Sequence, residues 1–267
     1  MEFSLRVFVI FVIFANASTL ANPVLKPLKK PEPRIINGDE ASSGQFPWQA
    51  ALYITRPGET TWCGGALISS RWILTAGHCV HYATHFKIAL GSNSLVGVDP
   101  DRVVIDTVQY ILHENYNSNT LDNDIALVML PYAVTFNDKI QPVALSSGTL
   151  SDGTTATVSG WGLTSDSASE PSTSLNYISL TTISNSNCNR VYGELPTGAV
   201  CAQRTTSIVQ STCEGDSGGP FVTYTSSGPL HVGVVSFGHP DGCESGNPVA
   251  FARTDYYRNW IKLKTGV

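Results

Sequence analysis

The sequence lacks an excess of basic residues and has few charged residues of either sign. Charged side chains make up 14% of the 267 residues, and the formal net charge is −5. Residues 1–34 hold five of the 16 basic and two of the 21 acidic residues, so the remainder has 11 basic and 19 acidic residues and a net charge of −8. A negative surface repels phosphate groups, which argues against nucleic acids and anionic membranes as partners. The 42% hydrophobic content is ample for a globular core in one or two domains.

The sequence also lacks an apolar run long enough to span a bilayer, which takes about 20 residues. The N-terminal run covers only residues 7–14, after Arg6, and the small-x-small tripeptide Ala15-Asn16-Ala17 follows it. This order of features is typical of a secretory signal peptide. We therefore predict a signal peptide over residues 1–17, or 1–21 if cleavage follows Ala21, and a secreted, extracellular protein without a membrane anchor.

Patterns for metal-dependent hydrolysis and for repeat architectures are absent. His78, His81 and His85 have a spacing that fits one face of a helix, but no His-Glu-x-x-His occurs and no supporting shell is visible. We predict no bound metal and no cofactor, and we place the histidines other than His78 at the surface or in loops. No repeat of 33 to 45 residues is present, which excludes a propeller or solenoid.

The cysteines are even in number, and in a secreted chain this indicates disulfides rather than a metal site. They are Cys63, Cys79, Cys188, Cys201, Cys213 and Cys243. Six cysteines allow 15 pairings, and the sequence alone does not choose among them.

Short alternating apolar runs, broken by Gly, Pro, Asn and Asp, predict β-strands along most of the chain. The predicted strands are residues 48–54, 65–69, 71–75, 86–90, 102–112, 125–130, 155–161, 175–183, 198–202, 219–225, 230–237 and 248–252. Many short strands with turns between them are typical of antiparallel barrels. One helix is predicted after the last strand, with Thr254 as its cap and an apolar stripe at Tyr257, Trp260 and Ile261.

The glycine-rich segment 215–219, which contains Ser217, has the clearest chemical pattern. Glycine packs nothing and costs backbone entropy, so such a run indicates that the backbone approaches another group closely. A plain surface turn has the same composition. The functional alternative is a nucleophile loop, in which Ser217 attacks a carbonyl and the N–H groups of Gly215 and Ser217 stabilise the oxyanion.

A serine nucleophile needs a histidine base and an acid, and chain order limits which ones are available. The Ser–acid–His order of α/β-hydrolases is excluded, because no acidic residue lies between Ser217 and His231 or His239. This also excludes esterases and lipases of that class. The partners must be upstream, where His78 stands beside a cysteine and Asp124 precedes an apolar run. Asp122 is the alternative acid.

Six segments resemble, in chain order, the trypsin/chymotrypsin family of serine endopeptidases. They are residues 35–38, 75–79, 124–127, 159–162, 215–220 and 235–238. The resemblance covers residues 35 to about 264. It implies an all-β fold of two six-stranded antiparallel β-barrels, roughly residues 35–145 and 146–252, with the active site between them and a C-terminal helix. It also implies a catalytic set of His78, Asp124 and Ser217.

The resemblance further implies a disulfide pairing and a precursor form. The pairs are Cys63–Cys79, Cys188–Cys201 and Cys213–Cys243. Residues 22–33 hold four prolines and three lysines and read as an exposed, extended leader. We predict that residues 18–34 form an activation propeptide, and that a trypsin-like protease cuts after Arg34.

Cleavage after Arg34 creates an ammonium group on Ile35, which in this family pairs with the acid beside the nucleophile, here Asp216. A buried carboxylate without a partner is costly, so the pair forms only after the cut. The Gly215 loop then takes its oxyanion-binding shape. The protein is therefore predicted to be a zymogen, with residues 35–267 as the peptidase domain.

The residues that correspond to the primary specificity pocket carry no charge. Ser211 falls at the base, Ser236, Phe237 and Gly238 form a wall, and Val249 narrows the far side. We predict a preference for Phe, Tyr and Leu before the scissile bond, with smaller aliphatic residues next. An elastase-like or broad collagenolytic specificity is the alternative, since residues 242–251 also resemble the brachyurin (collagenolytic) subgroup.

The predicted partners are protein substrates, proteinaceous inhibitors and the trypsin-like activating protease, and the enzyme is predicted to be a monomer that serves digestion. A non-catalytic homologue is the competing class. Such a homologue usually lacks one residue of the catalytic set, and here His78, Asp124 and Ser217 are all present.

Overall fold

The computed structural model describes residues 35–267, in which β-strands dominate. The predicted signal peptide and activation propeptide, including Arg34, lie outside the described residues. The strands are β1 (Asp39–Glu40), β2 (Gln49–Arg56), β3 (Glu59–Ser69), β4 (Trp72–Thr75), β5 (His85–Leu90), β6 (Val103–Thr107), β7 (Tyr110–Leu112), β8 (Ala126–Met129), β9 (Ala144–Leu145), β10 (Thr155–Gly160), β11 (Asn176–Ile183), β12 (Ala199–Gln203), β13 (Pro220–Thr225), β14 (Gly228–Phe237) and β15 (Val249–Arg253). The helices are α1 (Gly77–Val80), α2 (Asn185–Tyr192) and α3 (Thr254–Thr265).

The first sheet curls into a barrel in the order β6-β5-β2-β3-β4-β8-β7, with antiparallel neighbours throughout. The predicted strand 102–112 is wrong in one respect, because it is broken into β6 and β7 at opposite ends of this sheet. Thr107 causes the break: its Oγ1 donates to the carbonyl of Met129 and accepts from the amide of Gln109. Since β6 and β7 are the two edge strands of this sheet, the short chain segment that joins them closes the barrel.

The second sheet closes through hydrogen bonds as a six-stranded ring, β11-β10-β13-β14-β15-β12, with β12 pairing back to β11. The short β9 adds to β14 in parallel, and β1 adds to β11. The predicted all-β fold of two barrels with a terminal helix is confirmed. The boundary differs in two places: β1 and β9 both lie in the second sheet, whereas the prediction assigned residues 35–145 to the first barrel.

Each barrel has its own apolar core built from inward-facing side chains. In the second, Val158, Phe221 and Phe251 are fully buried, and the two phenylalanine rings stack with centroids 4.2 Å apart. Truncating such a phenylalanine to alanine typically costs about 3–5 kcal/mol of stability. In the first barrel, Leu52 and Ile88 are equally buried. The barrels thus provide rigid supports for the loops between them.

Helix α3 fastens the second barrel to the first. Trp260 Nε1 donates to Glu114 Oε2 at 2.8 Å, and the Lys264 ammonium also pairs with Glu114. The hydrogen bond from Lys264 lowers the pKa of Glu114 to about 2. The predicted cap is wrong: Thr254 is the first helical residue and Arg253 takes the cap position without a side-chain cap bond. The Thr254 hydroxyl is used elsewhere, at His231.

His231 corrects the prediction that the remaining histidines are surface or loop residues. It lies in β14 and is fully buried. Its Nδ1 is 2.7 Å from Thr254 Oγ1, and its Nε2 has no partner among the described residues. Burial lowers the pKa of His231 to about 3, because the imidazolium form would lose its hydration.

This burial predicts a loss of stability in acid. The folded chain keeps His231 neutral down to about pH 3, whereas the unfolded chain protonates it near its ordinary value of 6.5, so stability falls as the pH drops below 6.5. From pH 6 to 4 the free energy of unfolding should fall about 2–3 kcal/mol more in the parent than in a His231→Phe variant. Urea unfolding at each pH measures this, on a Ser217→Ala background that prevents self-digestion. Equal slopes in the two proteins would contradict the expectation.

Candidate active site

His78 is held in place from three directions. It lies in α1, a single turn whose last carbonyls would otherwise be unpaired. The Arg56 guanidinium donates to the carbonyls of His78 (2.6 Å) and Cys79 (3.1 Å). The disulfide Cys63–Cys79 ties this turn to β3. The imidazole of the predicted base is therefore on a fixed support.

Asp124 lies directly opposite the imidazole and is almost completely buried. Its Oδ2 is 2.9 Å from His78 Nδ1, and its Oδ1 accepts from the His78 amide at 2.7 Å. Asn123, just before it, has φ +54°, and its side chain donates to the carbonyl of Asn115. This fixed turn directs the carboxylate inward. With Nδ1 bound to Asp124, the Nε2 of His78 is left to accept a proton.

Asp122, the alternative acid, is used for another purpose. Its Oδ2 accepts from Thr120 Oγ1 at 2.7 Å, and its Oδ1 accepts from the amide of Thr197 at 3.2 Å. These contacts hold the loop in front of Asp124 against the second barrel. The geometry therefore assigns the contact with His78 to Asp124 and not to Asp122.

The amides around Ser217 fall into two groups. Those of Asp216, Gly218 and Gly219 donate to the carbonyls of residues 213, 235 and 216, at 3.0, 2.8 and 2.9 Å. Those of Gly215 and Ser217 donate to no acceptor among residues 35–267. Gly215 has φ +93°, and a Cβ there would overlap the indole of Trp62, so only glycine fits. Two N–H groups of this loop, one of them that of Ser217 itself, are thus available to an oxyanion.

The loop of Ser217 packs against the segment that carries His78. The Ser217 carbonyl accepts from the amide of Gly64 at 2.8 Å, and a Cβ at Gly218 would lie 2.2 Å from Thr75 Oγ1 and 3.2 Å from the amide of Ala76. Among the described residues, Ser217 Oγ has no hydrogen-bond partner, and the imidazole is not within bonding distance of it. Such contacts are often long without substrate and shorten when it binds.

Asp216 points away from the cleft into the second barrel and is fully buried. Its Oδ1 accepts from the amide of Gly162 at 2.8 Å and its Oδ2 from that of Cys213 at 2.9 Å. Burial raises the pKa of Asp216 to about 7, although the two amides act in the opposite direction. Ile35 is also fully buried, and Ile36 bridges to Ser211. Of the predicted activation residues, Ile35 and Asp216 therefore lie in the same barrel as Ser217, and Arg34 lies outside the described residues.

A cavity of about 400 Å³ opens beside Ser217. Of the predicted pocket residues, Ser211, Ser236, Phe237 and Gly238 line it. Ser211 is buried, and its hydroxyl donates to the carbonyl of Thr212 at 3.0 Å. A Cβ at Gly238 would meet no atom within 4 Å, so the mouth is open. The lining also includes the exposed acidic residues Asp166 and Glu214, so the cavity has a neutral part at Ser211 and an acidic part at its edge.

Val249 is the predicted pocket residue that does not line the cavity. It pairs with Ala202 in the second sheet, and its side chain belongs to the barrel core. Its neighbour Pro248 lines the cavity instead, and its carbonyl accepts a hydrogen bond from Tyr192. The alternation of side chains along β15 explains the difference, because adjacent residues face opposite sides of a strand.

Ser236 has a second contact that sequence reasoning missed. Its buried hydroxyl donates to Asp124 Oδ2 at 2.5 Å, the same oxygen that faces His78 Nδ1. This bond crosses from the second barrel to the first and orients the carboxylate. The two residues are separated by 112 positions, and the local sequence gives no signal of the contact.

The described chain joins its cysteines as the resemblance implies, in the pairs Cys63–Cys79, Cys188–Cys201 and Cys213–Cys243. Two groups of potential metal ligands occur among residues 35–267, but each contains two cysteines of one disulfide. A metal ligand must be a thiolate, so neither group fits a metal ion as it stands.

An Asp–His pair with a buried carboxylate, a serine loop with two unbonded amides and an adjoining cavity, carried on two β-barrels, define a chymotrypsin-like serine endopeptidase. Residues 35–261 match the family named Trypsin, and the chain belongs to this family. It is 41% identical to brachyurin of Leptuca pugilator over 87% of this chain and 99% of that protein. It is 42% identical to a collagenase of Hypoderma lineatum over 88% of this chain and 89% of the relative. The solved structure of HL collagenase superposes with a TM-score of 0.78 at 41% identity, covering 87% of this chain and 99% of that one.

Proposed function

We propose that the protein is a secreted zymogen that becomes an active endopeptidase after cleavage behind Arg34, with Ser217, His78 and Asp124 as its catalytic residues. The observation that carries the proposal is the pattern of amides in segment 215–219. Within this segment, only the amides of Gly215 and Ser217 have no acceptor among the described residues, and the one hydroxyl of the segment is that of Ser217. Both amides are therefore available to the oxyanion that forms when Ser217 attacks a carbonyl.

The first half of the reaction transfers the acyl group to the enzyme. His78 Nε2 takes the proton from Ser217 Oγ as the oxygen attacks the carbonyl carbon of the scissile bond. The carbonyl oxygen becomes an oxyanion and accepts from the amides of Gly215 and Ser217. His78 then donates its Nε2 proton to the leaving nitrogen, the C–N bond breaks, and an ester to Ser217 remains.

Water completes the cycle by the same route. His78 Nε2 takes a proton from water, the hydroxide oxygen attacks the ester carbon, and the proton returns to Ser217 Oγ as the peptide acid leaves. Throughout, Asp124 holds the Nδ1 proton of His78 and offsets the charge of the imidazolium. Ser236 holds Asp124 in turn through its hydroxyl.

Specificity follows from the cavity beside Ser217. Ser211 at its predicted base is neutral, the acidic lining residues Asp166 and Glu214 are exposed to solvent, and the mouth at Gly238 is open. This arrangement favours Phe, Tyr and Leu before the scissile bond. Burying such a side chain contributes about 1.5–3 kcal/mol. An enzyme of this preference does not cut behind Arg34 efficiently, so a separate trypsin-like protease activates it. The enzyme works as a monomer on protein substrates and is open to proteinaceous inhibitors.

A substrate panel tests this preference. Peptides with Phe or Leu before the scissile bond should have a kcat/KM about 10–100-fold above those with Arg, and pure proenzyme should keep its Arg34–Ile35 bond. Ser211→Asp should raise kcat/KM for Arg peptides about 10–100-fold, because a buried carboxylate then meets the guanidinium. Ser226→Asp, an exposed change on the turn after β13, should leave the preference as it was. Preference for Arg in the parent, or rapid self-activation, would refute the neutral pocket.

Cleavage of collagen is the second candidate, and the names of two relatives favour it. Brachyurin and the Hypoderma collagenase match this chain over most of its length. Incubation of native type I collagen with the activated protein, below the melting temperature of the collagen, distinguishes collagenolysis from general peptidase activity. Fragments of the triple helix would support collagenolysis, and digestion of gelatin alone would limit the enzyme to unfolded chains.

Covalent labelling tests the proposed nucleophile directly. A fluorophosphonate should inactivate the cleaved protein with one label per chain, and peptide mass spectrometry should locate that label on Ser217. Labelling elsewhere, or none, would refute the assignment of Ser217.

A further inference from the structure

Two acidic side chains from separate loops bind each other's backbone at the edge of the specificity pocket. The Asp166 carboxylate accepts from the amides of Cys243 (2.7 Å) and Glu244 (3.1 Å). In return, the Glu244 carboxylate accepts from the amide of Asp166 at 2.9 Å. We call this reciprocal arrangement of Asp166 and Glu244 the acid clamp.

The acid clamp is built into the backbone on both sides. Its three bonds each join an anionic acceptor to an amide, which makes them stronger than bonds between neutral groups. Gly242 has φ +102°, and a Cβ there would lie 2.5 Å from an Asp166 oxygen. Only glycine lets the two loops approach this closely.

The clamp lies where it can set the width of the pocket. Asp166, Gly242 and Cys243 line the same cavity as Ser211 and Ser217. The Asp166 loop is also fixed near its start, where the amide of Leu163 donates to the carbonyl of Glu214 at 2.8 Å. The wall formed by the Asp166 loop is therefore bonded to the nucleophile loop through Leu163 and to the opposite wall through the acid clamp.

Apart from the clamp, the wall is held by Ala168 and Cys243, which pack against a small buried cluster that includes Leu163 and Cys213. Residues 165–170 and 241–246 are mostly exposed, and the Cys213–Cys243 disulfide fixes the second loop at one end only. Without the clamp both loops would have to be ordered by the substrate, at a cost in binding. A large side chain in the pocket touches this wall, whereas a methyl group scarcely enters it.

We propose that Asp166 and Glu244 are positioning residues that hold the pocket at the width needed by a large apolar side chain before the scissile bond. The inference rests on the proposed peptidase function. The clamp acts on substrate binding through the pocket wall and touches neither Ser217 nor His78. Its loss therefore raises KM for large residues and leaves kcat in place.

Single substitutions in the activated full-length protein test the clamp. Asp166→Ala and Glu244→Ala should each raise KM for a Phe peptide about 5–20-fold with kcat within about twofold, whereas both constants for the matching Ala peptide should stay within about twofold. Glu244→Gln keeps an acceptor for the Asp166 amide and should recover most of the loss seen in Glu244→Ala. Glu170→Gln removes an equal charge from the exposed end of the same loop and should match the parent.

The outcomes separate the clamp from the proposed function. If the parent neither cleaves peptides nor takes a fluorophosphonate label on Ser217, the peptidase proposal itself fails. If the parent does both, an unchanged KM for Phe in both alanine variants overturns the clamp. An equal loss on Phe and Ala peptides also overturns it, because that would show general damage to the site. A failure of Glu244→Gln to recover the loss would show that charge, and not the hydrogen bond, is responsible.

Discussion

Replacing Ser217 by alanine in the Arg34-cleaved protein is expected to lower kcat on a Phe peptide by about a millionfold. The variant loses the oxygen that forms the acyl ester and keeps only the two free amides and the pocket. His78→Ala should cost about as much, and the double variant little more, because base and nucleophile act as one unit. Progress curves with an active-site titration of the parent measure the difference.

The matched control is Ser227→Ala, which removes an exposed hydroxyl at the turn before β14. It should retain full activity. The Ser217→Ala protein should still bind a proteinaceous inhibitor, since the pocket is intact. Retention of most of the peptidase activity by Ser217→Ala would remove the basis of the proposed mechanism.

The second large effect is expected at Asp216. Under the proposed activation, Asp216→Asn in the cleaved protein should lower kcat/KM about 150- to 5,000-fold, because removing one partner of a buried ion pair costs about 3–5 kcal/mol. The Ile35 ammonium would then have no carboxylate to meet, and the Gly215 loop would lose its support. Kinetics of parent and variant after identical cleavage measure this loss. Asp152→Asn, an exposed change at the turn before β10, serves as the control for charge.

In the uncleaved protein, the same substitution should make stability at neutral pH greater relative to the parent, instead of removing a favourable contact. Folding raises the pKa of Asp216 from 3.8 to about 7 because the carboxyl is buried. Its contribution to stability is therefore complete below pH 3.8 and is lost as the pH rises through 7. Between pH 5 and 8, the free energy of unfolding of the uncleaved parent should fall by about 2–3 kcal/mol more than that of the uncleaved Asp216→Asn variant. If urea unfolding gave the two proteins the same dependence of stability on pH, the proposed role of the buried Asp216 carboxyl in activation would be contradicted.

The fold class and the residues of the cleft were predictable because their patterns are local. The glycines around Ser217, the histidine beside Cys79 and the acid before a buried strand are each visible within five or six residues. Alternating apolar residues marked the strands for the same reason. In all these segments, the composition is set by what the backbone needs within a few residues, such as a tight turn or a strand.

The features that were missed depend on contacts between distant residues. The bond from Ser236 to Asp124 joins positions 112 apart, and the acid clamp joins loops 78 apart. The break between β6 and β7 comes from one threonine hydroxyl that bonds across the sheet, where composition alone reads as a continuous strand. His231 was misjudged because a histidine in an alternating pattern gives no sign that its side of the strand is covered by α3.

The place of β1 has a consequence for the order of assembly. The chain segment that follows the cut, from Ile35 to β1, belongs to the barrel that carries the nucleophile, while base and acid stand on the other barrel. Under the proposed activation, proteolysis would therefore act on one barrel without disturbing the other, and the precursor would already hold a finished proton acceptor before its nucleophile is set.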